Sequence, residues 1–195
     1  MKFITNDDIF FRLRFLDKYM AEHNGFIAGG CFKNLFNKQK VKDIDIFFNT
    51  EKDFKECVDM FKAKKGFKKH YSNNKVQAFK DKKSGVIVEL IKQTYGSPKD
   101  ILSIFDFSIT RFAYCKDSED GSYYMMYVDT YFEHLANNKL VIDGELKHPV
   151  STFERSYRYK KYGYGLCRVS KEKLLNALKT ANTDNLSSDL YFGID

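Results

Sequence analysis

The chain has 195 residues, with 33 Lys and Arg against 26 Asp and Glu and a formal net charge of +7 at pH 7. Its 43% hydrophobic and 16% aromatic content, carried by 19 Phe and 13 Tyr, is enough to build a core and excludes a wholly disordered chain. No run approaches the roughly 18 apolar residues of a membrane span, and the first residues lack a secretory signal's apolar stretch, so the sequence predicts a soluble, cytoplasmic protein with no membrane partner.

The opening segment places Ile9, Phe10, Leu13, Leu16 and Met20 at helical spacing after the cap residues Asn6 and Asp7, and the helix ends near His23-Asn24-Gly25. A short apolar strand, Phe26-Ile27-Ala28, runs into Gly29-Gly30, followed by a short helix over 31–36. The segment 41–48 alternates with period two, and Asn49-Thr50 caps a helix over 51–64. Three strands are predicted at 67–71, 76–80 and 86–91, separated by the turn residues Ser72-Asn73-Asn74 and 81–85. A helix follows Ser97-Pro98, the pattern leaves the conformation of 105–114 open, and 123–128 reads as a strand. Beyond Pro149 the chain is helical, with Phe153, Ser156, Tyr157, Lys160 and Tyr164 on one face and a last helix over 170–181. The remaining residues, 182–195, read as an irregular tail.

Cys31, Cys57, Cys115 and Cys167 are too widely spaced for a Cys-x-x-Cys pair and read as reduced thiols. His23, His70, His134 and His148 are equally scattered, which argues against a zinc site built from them.

Chemistry concentrates at Gly29-Gly30 and, twelve residues later, Asp43-Ile44-Asp45-Ile46. On a strand, residues two apart share a face, so both carboxylates point one way while Ile44 and Ile46 face the core. Two adjacent carboxylates repel unless a cation lies between them, and a hard divalent ion such as Mg²⁺ or Mn²⁺ resolves that repulsion. The glycine pair lets backbone N–H groups approach a phosphate, and Lys33 adds a point charge beside them. Taken singly, these features also read as a surface acidic pair and a tight turn.

An apolar strand, Gly-Gly, a short basic helix and Asp-x-Asp together resemble the nucleotidyltransferase superfamily with the DNA polymerase beta-like fold. The similarity is to the head and neck of bacterial-type tRNA CCA-adding enzymes and poly(A) polymerases. Phe105-Asp106-Phe107-Ser108-Ile109 is similar to that family's Arg-Arg-Asp-Phe-Thr-Ile motif, Tyr127-Val128-Asp129 to its next strand, and 149–163, with Arg155, Arg158 and Tyr159, to its Arg-rich helical motif. The resemblance implies an α+β fold: a mixed-sheet head over 1–145 with flanking helices, and a short helical neck and tail over 146–195. It implies two Mg²⁺ or Mn²⁺ ions held by Asp43, Asp45 and Glu89 as catalytic and metal-binding residues. An NTP would be bound by Gly29, Gly30, Lys33, Asp106, Arg111, Arg155 and Arg158. The implied reaction moves a nucleoside monophosphate to an RNA 3′ end, tRNA or tRNA-like, with release of pyrophosphate.

Two departures qualify that picture. Ile104-Phe105 stand where the family carries paired arginines, leaving Arg111 as a replacement from the other side, and the base-reading positions fall near Lys147-His148 and Ser151-Thr152, so C-then-A selection does not carry over. The chain is also about half as long as the tRNA-handling members. Nucleotidylylation of a protein or small molecule, and a non-catalytic binding or inhibitor module on the same fold, therefore stand beside the RNA reading. The run 155–162 also has two readings, an RNA-contacting surface of Arg and Tyr or tyrosines packed on the head with solvated charges.

Overall fold

The computed structural model describes residues 2–4, 11–144 and 146–181. The predicted caps Asn6 and Asp7, with Ile9 and Phe10, and the tail 182–195 lie outside them. In chain order the elements are β1 (Lys2–Ile4), α1 (Asp17–Met20), β2 (Phe26–Ala28), α2 (Cys31–Phe36), β3 (Asp43–Phe48), α3 (Glu51–Ala63), β4 (Phe67–Ser72), β5 (Val76–Asp81) and β6 (Ile87–Tyr95). After these come α4 (Pro98–Ile104), β7 (Phe112–Lys116), β8 (Tyr123–Tyr127), α5 (Tyr131–Ala136), β9 (Lys139–Leu140), α6 (Pro149–Lys161), β10 (Gly165–Leu166) and α7 (Arg168–Thr180). Short 3₁₀ turns precede α1 at Arg14–Leu16 and β7 at Ser108–Thr110.

One eight-stranded sheet, in the order β1-β8-β7-β2-β3-β6-β5-β4, organises the molecule. Within it β3 and β6 pair in parallel, and every other neighbouring pair is antiparallel, so the sheet is mixed and the protein α+β. The parallel pair is the centre of the fold, and its apolar residues Ile44, Ile46, Val88 and Leu90 are fully buried.

Alternation along the strands sends each side chain to one of two layers. On one face, α1 and α3 cover the sheet: Phe61 of α3 packs on Phe67 and Phe79, Phe54 on Phe48, and the Tyr114 hydroxyl donates to Asp17 of α1 at 2.8 Å. Thr50 starts α3 with a reciprocal capping box, its side chain accepting from the Asp53 N–H while Asp53 accepts from the Thr50 N–H. On the other face Phe105, which ends α4, stands edge-on to Phe47 with ring centroids 5.8 Å apart. That face also carries Asp43 and Asp45.

The C-terminal helices join through buried contacts. Phe107 packs on Tyr159 of α6, β9 pairs in parallel with β10, and the Ser170 hydroxyl of α7 accepts from the Ile142 N–H at 2.8 Å. The five residues predicted on one α6 face, Phe153, Ser156, Tyr157, Lys160 and Tyr164, line one groove against α7, with Tyr157 55% exposed, and the stripe buried against the head is Thr152, Arg155, Ser156 and Tyr159. No helix among the described residues is long and apolar enough to cross a membrane.

Candidate active site

A cavity of about 230 Å³ opens where the β3–β6 pair meets α2 and the C-terminal end of α6. Its acidic wall follows from strand register. Asp43 stands opposite Ile87 and Asp45 opposite Glu89, so the three carboxylates share a face, with Asp45 and Glu89 side by side. Asp43 lies at the exposed start of β3, while Asp45 is 7% exposed.

Burial is the largest influence on Asp45, and the neighbouring charges of Glu89 and Asp43 add to it, so its carboxyl is held well above the usual carboxylate range. Glu89 stands directly beside it on the neighbouring strand. The outer oxygen Oε1 of Glu89 accepts from the Tyr71 hydroxyl.

The opposite wall begins at the glycine pair. Gly29 has φ +103°, a conformation that L side chains rarely adopt, and its N–H is tied to the Phe112 carbonyl at 3.1 Å. Gly30 has ordinary helical dihedrals and caps α2 without a side-chain hydrogen bond, so what sets it apart is its place on the cavity wall. Lys33 also lines the cavity, but its ammonium donates to Asn34 at 2.5 Å and lies 4.6 Å above the Tyr162 ring, with Tyr159 and Tyr164 within about 6 Å. Burial lowers its pKa. Lys75, Gln93 and Arg158 complete the polar lining.

The cavity thus brings together Gly30, Lys33, Asp43, Asp45, Glu89 and Arg158, with Gly29 one residue behind its rim. It does not bring in Asp106, Arg111 or Arg155. Asp106 is buried one layer back, where it accepts from Arg155 at 2.5 Å, from the Thr152 hydroxyl at 2.7 Å and from the Phe107 N–H at 2.8 Å. Arg111 donates to the carbonyls of Leu102 at 2.8 Å and Asp143 at 2.6 Å, and pairs with the Asp143 carboxylate at 3.1 Å. These three side chains hold loops and α6 in place. The sequence reading missed Tyr71, Lys75, Gln93 and Tyr162. The Arg-Tyr run of α6 was a signal for Tyr162, but nothing local marked the other three.

The donor set fits a hard divalent cation in its chemistry: three carboxylates on adjacent strands, one of them buried against a like charge. As they stand, no three His, Cys, Asp or Glu side chains among the described residues are gathered into a metal-holding group. Asp45 and Glu89 stand side by side across the parallel pair, where a cation would neutralise both.

Solved structures of CCA-adding enzymes and of a tRNA nucleotidyltransferase share this architecture. A CCA-adding enzyme complex with ATP aligns with TM-score 0.63 at 18% identity, covering 95% of this chain and 48% of that one. The Thermotoga maritima CCA-adding enzyme complexed with tRNA aligns with TM-score 0.57 at 19% identity, covering 95% and 47%. A tRNA nucleotidyltransferase with a primer tRNA and an incoming ATP analog aligns with TM-score 0.57 at 21% identity, covering 90% and 54%. The chain therefore has the nucleotidyltransferase fold and spans about half the length of these structures. No curated protein matches it. Residues 5–138, more than half of the 195, match the model of the Gabija anti-defense 2 family, and the protein belongs to that family.

Proposed function

We propose that the protein is a divalent-metal-dependent nucleotidyltransferase that transfers a nucleoside monophosphate from an NTP to the 3′ end of a tRNA-like RNA, releasing pyrophosphate. The transfer would serve the role against Gabija defense that its family's name carries. The observation that carries this reading is the row formed by Asp45 and Glu89, with Asp43 on the same face, on the wall of the cavity that Gly30 opens.

Asp43, Asp45 and Glu89 would hold the ions. A Mg²⁺ ion held by them would supply charge neutralisation for a triphosphate and a lowered pKa for an attacking hydroxyl. Gly29 and Gly30 leave the backbone open to the β- and γ-phosphates, and Lys33 and Arg158 supply positive charge on the wall that a triphosphate would face. Tyr159 and Tyr162 offer aromatic surface for a base, and Gln93 a hydrogen-bonding amide. Positioning and fixed charge carry the acceleration, because negative charge builds on the transferred phosphate.

Incubation with each labelled NTP, Mg²⁺ or Mn²⁺ and total RNA should label RNA, and the Asp43→Ala/Asp45→Ala variant should not. Equal labelling by that variant, or none of any acceptor, overturns the reading. A second reading, a non-catalytic inhibitor on the same fold, is favoured by the internal pairing of Asp106, Arg111 and Arg155. Under it the double variant would still counter Gabija.

A further inference from the structure

We propose that Tyr71 is a positioning residue for the acidic site: its hydroxyl holds the Glu89 carboxylate in the orientation from which Glu89, with Asp45, takes up a divalent cation. This rests on the metal-dependent reading above and adds a residue to it.

A single irregularity in β4 makes the contact possible. Lys69 pairs with Phe79, but the next pair is Tyr71 with Ala78, so His70 is an extra residue. In an unbroken ladder Tyr71 would oppose Gln77 and lie on the face of Phe67 and Phe79, which α3 covers. The bulge reverses that parity and turns Tyr71 to the carboxylate face. The cross-strand row is then Tyr71, Ala78, Glu89, Asp45, running over four adjacent strands.

Ala78 is the second requirement. Glu89 lies two strands from Tyr71, about 10 Å between backbones at the usual strand spacing, and only a small intervening side chain lets a phenol ring cross that gap. Ala78 is fully buried beneath it, and the Tyr71 hydroxyl donates to Glu89 Oε1. Edge strand β4 is otherwise solvated, with every residue after Phe67 exposed, so Tyr71 is not fixed by core packing. Its side-chain hydrogen bond reaches into the acidic site. Carboxylates that bind metals are commonly oriented by a hydrogen bond on their other oxygen, and loss of such a partner typically costs about 10- to 100-fold in metal affinity.

The test is Mn²⁺ binding to the full chain, read from free Mn²⁺ by electron paramagnetic resonance, beside Tm and nucleotide transfer. Tyr71→Phe should weaken Mn²⁺ binding about 10- to 100-fold and lower kcat, with KM for NTP and Tm unchanged. Lys69→Ala, on the opposite face of the same strand, should alter none of these. In a Glu89→Ala background Tyr71→Phe should cost nothing further, because no acceptor for its hydroxyl remains there. Mn²⁺ binding by Tyr71→Phe within twofold of the parent, or a full further loss in the Glu89→Ala background, overturns the proposal. Failure of the underlying reading is seen separately: a parent that binds no Mn²⁺, or binds it equally after Asp43→Ala/Asp45→Ala, overturns the metal site and the role of Tyr71 with it.

Discussion

At the residue scale, the acidic site is a place where stability and chemistry oppose one another. Asp45 is buried, its carboxyl is raised by that burial and by Glu89 and Asp43, and no basic side chain pairs with it among the described residues. Asn has nearly the same shape without the charge. Asp45→Asn should therefore stabilise the metal-free protein by about 0.5–2 kcal/mol, a rise of a few degrees in Tm for a chain of this size, while abolishing Mn²⁺ binding. Thermal denaturation in chelator measures the first and titration the second. A drop in Tm would mean that the Asp45 carboxyl makes an interaction that Asn does not replace. His23 makes the opposite kind of site, a half-buried base kept neutral. Burial lowers its pKa from 6.5 to about 4, and the Gly25 N–H donates to its Nδ1 at 2.9 Å, which a proton there would prevent. Its Nε2 meets the Tyr19 carbonyl at 2.6 Å. Between these two pKa values the unfolded chain binds the proton and the folded chain does not, so stability rises with pH across that window. The contribution is complete above about pH 6.5 and is lost as pH falls through 4, with a full effect of about 3 kcal/mol. Urea midpoints from pH 4 to 7 should show this slope, and His23→Gln should flatten it.

At the scale of elements, α6 is held by a buried charge pair. Arg155 and Thr152 of α6 both meet Asp106, which lies just beyond the C-terminal end of α4, and Tyr159 one turn further along packs on Phe107. Arg155→Met would leave the Asp106 charge buried without its cation, a loss of about 3–5 kcal/mol. Asp106→Asn in the same chain should recover part of it. Arg158, exposed on the same helix, should change stability by less than about 0.5 kcal/mol when replaced by Ala; urea denaturation compares all three. These pairs also show where sequence reading stopped. The β2 strand, the Thr50 cap, α3 and the strands of the β4–β6 meander were legible because apolar period and capping residues are local. Helix α5 was not, since Tyr131–Ala136 is too short to establish a helical period. Strand β6 runs to Tyr95, past the predicted end at Ile91, because its continuation through Lys92, Gln93 and Thr94 is polar and is held by sheet pairing. Asp43 and Asp45 could be singled out from one strand pattern, and Glu89 through the family resemblance on its own strand. The exclusion of Asp106, Arg111 and Arg155 could not, because their partners lie 32 to 49 residues apart in the chain or are backbone carbonyls. The bulge that turns Tyr71 inward is a matter of register between strands, which no local pattern records.

At the scale of the whole molecule, the net charge of +7 is distributed unevenly. On α3 and α7, Lys52, Lys55, Lys62 and Arg168 pair with acidic residues three or four positions away, and Lys18, Arg111 and Arg155 pair with Asp81, Asp143 and Asp106. Lys68 and Lys80 make no ion pair among the described residues. They lie opposite each other on β4 and β5, in the row that continues through Ile87 to Asp43. With Lys75 and Arg158 on the cavity wall, they place positive charge around the mouth of the acidic site. On the proposed reading an RNA strand that brings its 3′ end to Glu89 would cross this rim, and each phosphate neutralised there would release counterions. On single strands that contributes about 0.7 to the slope of log affinity against log salt. Lys75→Ala and Arg158→Ala should each reduce the slope by about that amount, and together by about 1.4. Lys52→Ala, on the far side of the sheet in α3, should leave it unchanged. Filter binding of a labelled single-stranded RNA between about 50 and 200 mM salt compares the parent with all four variants. Equal slopes throughout would mean that the acceptor does not pass over this rim, and would favour a protein or small-molecule acceptor at the same carboxylates.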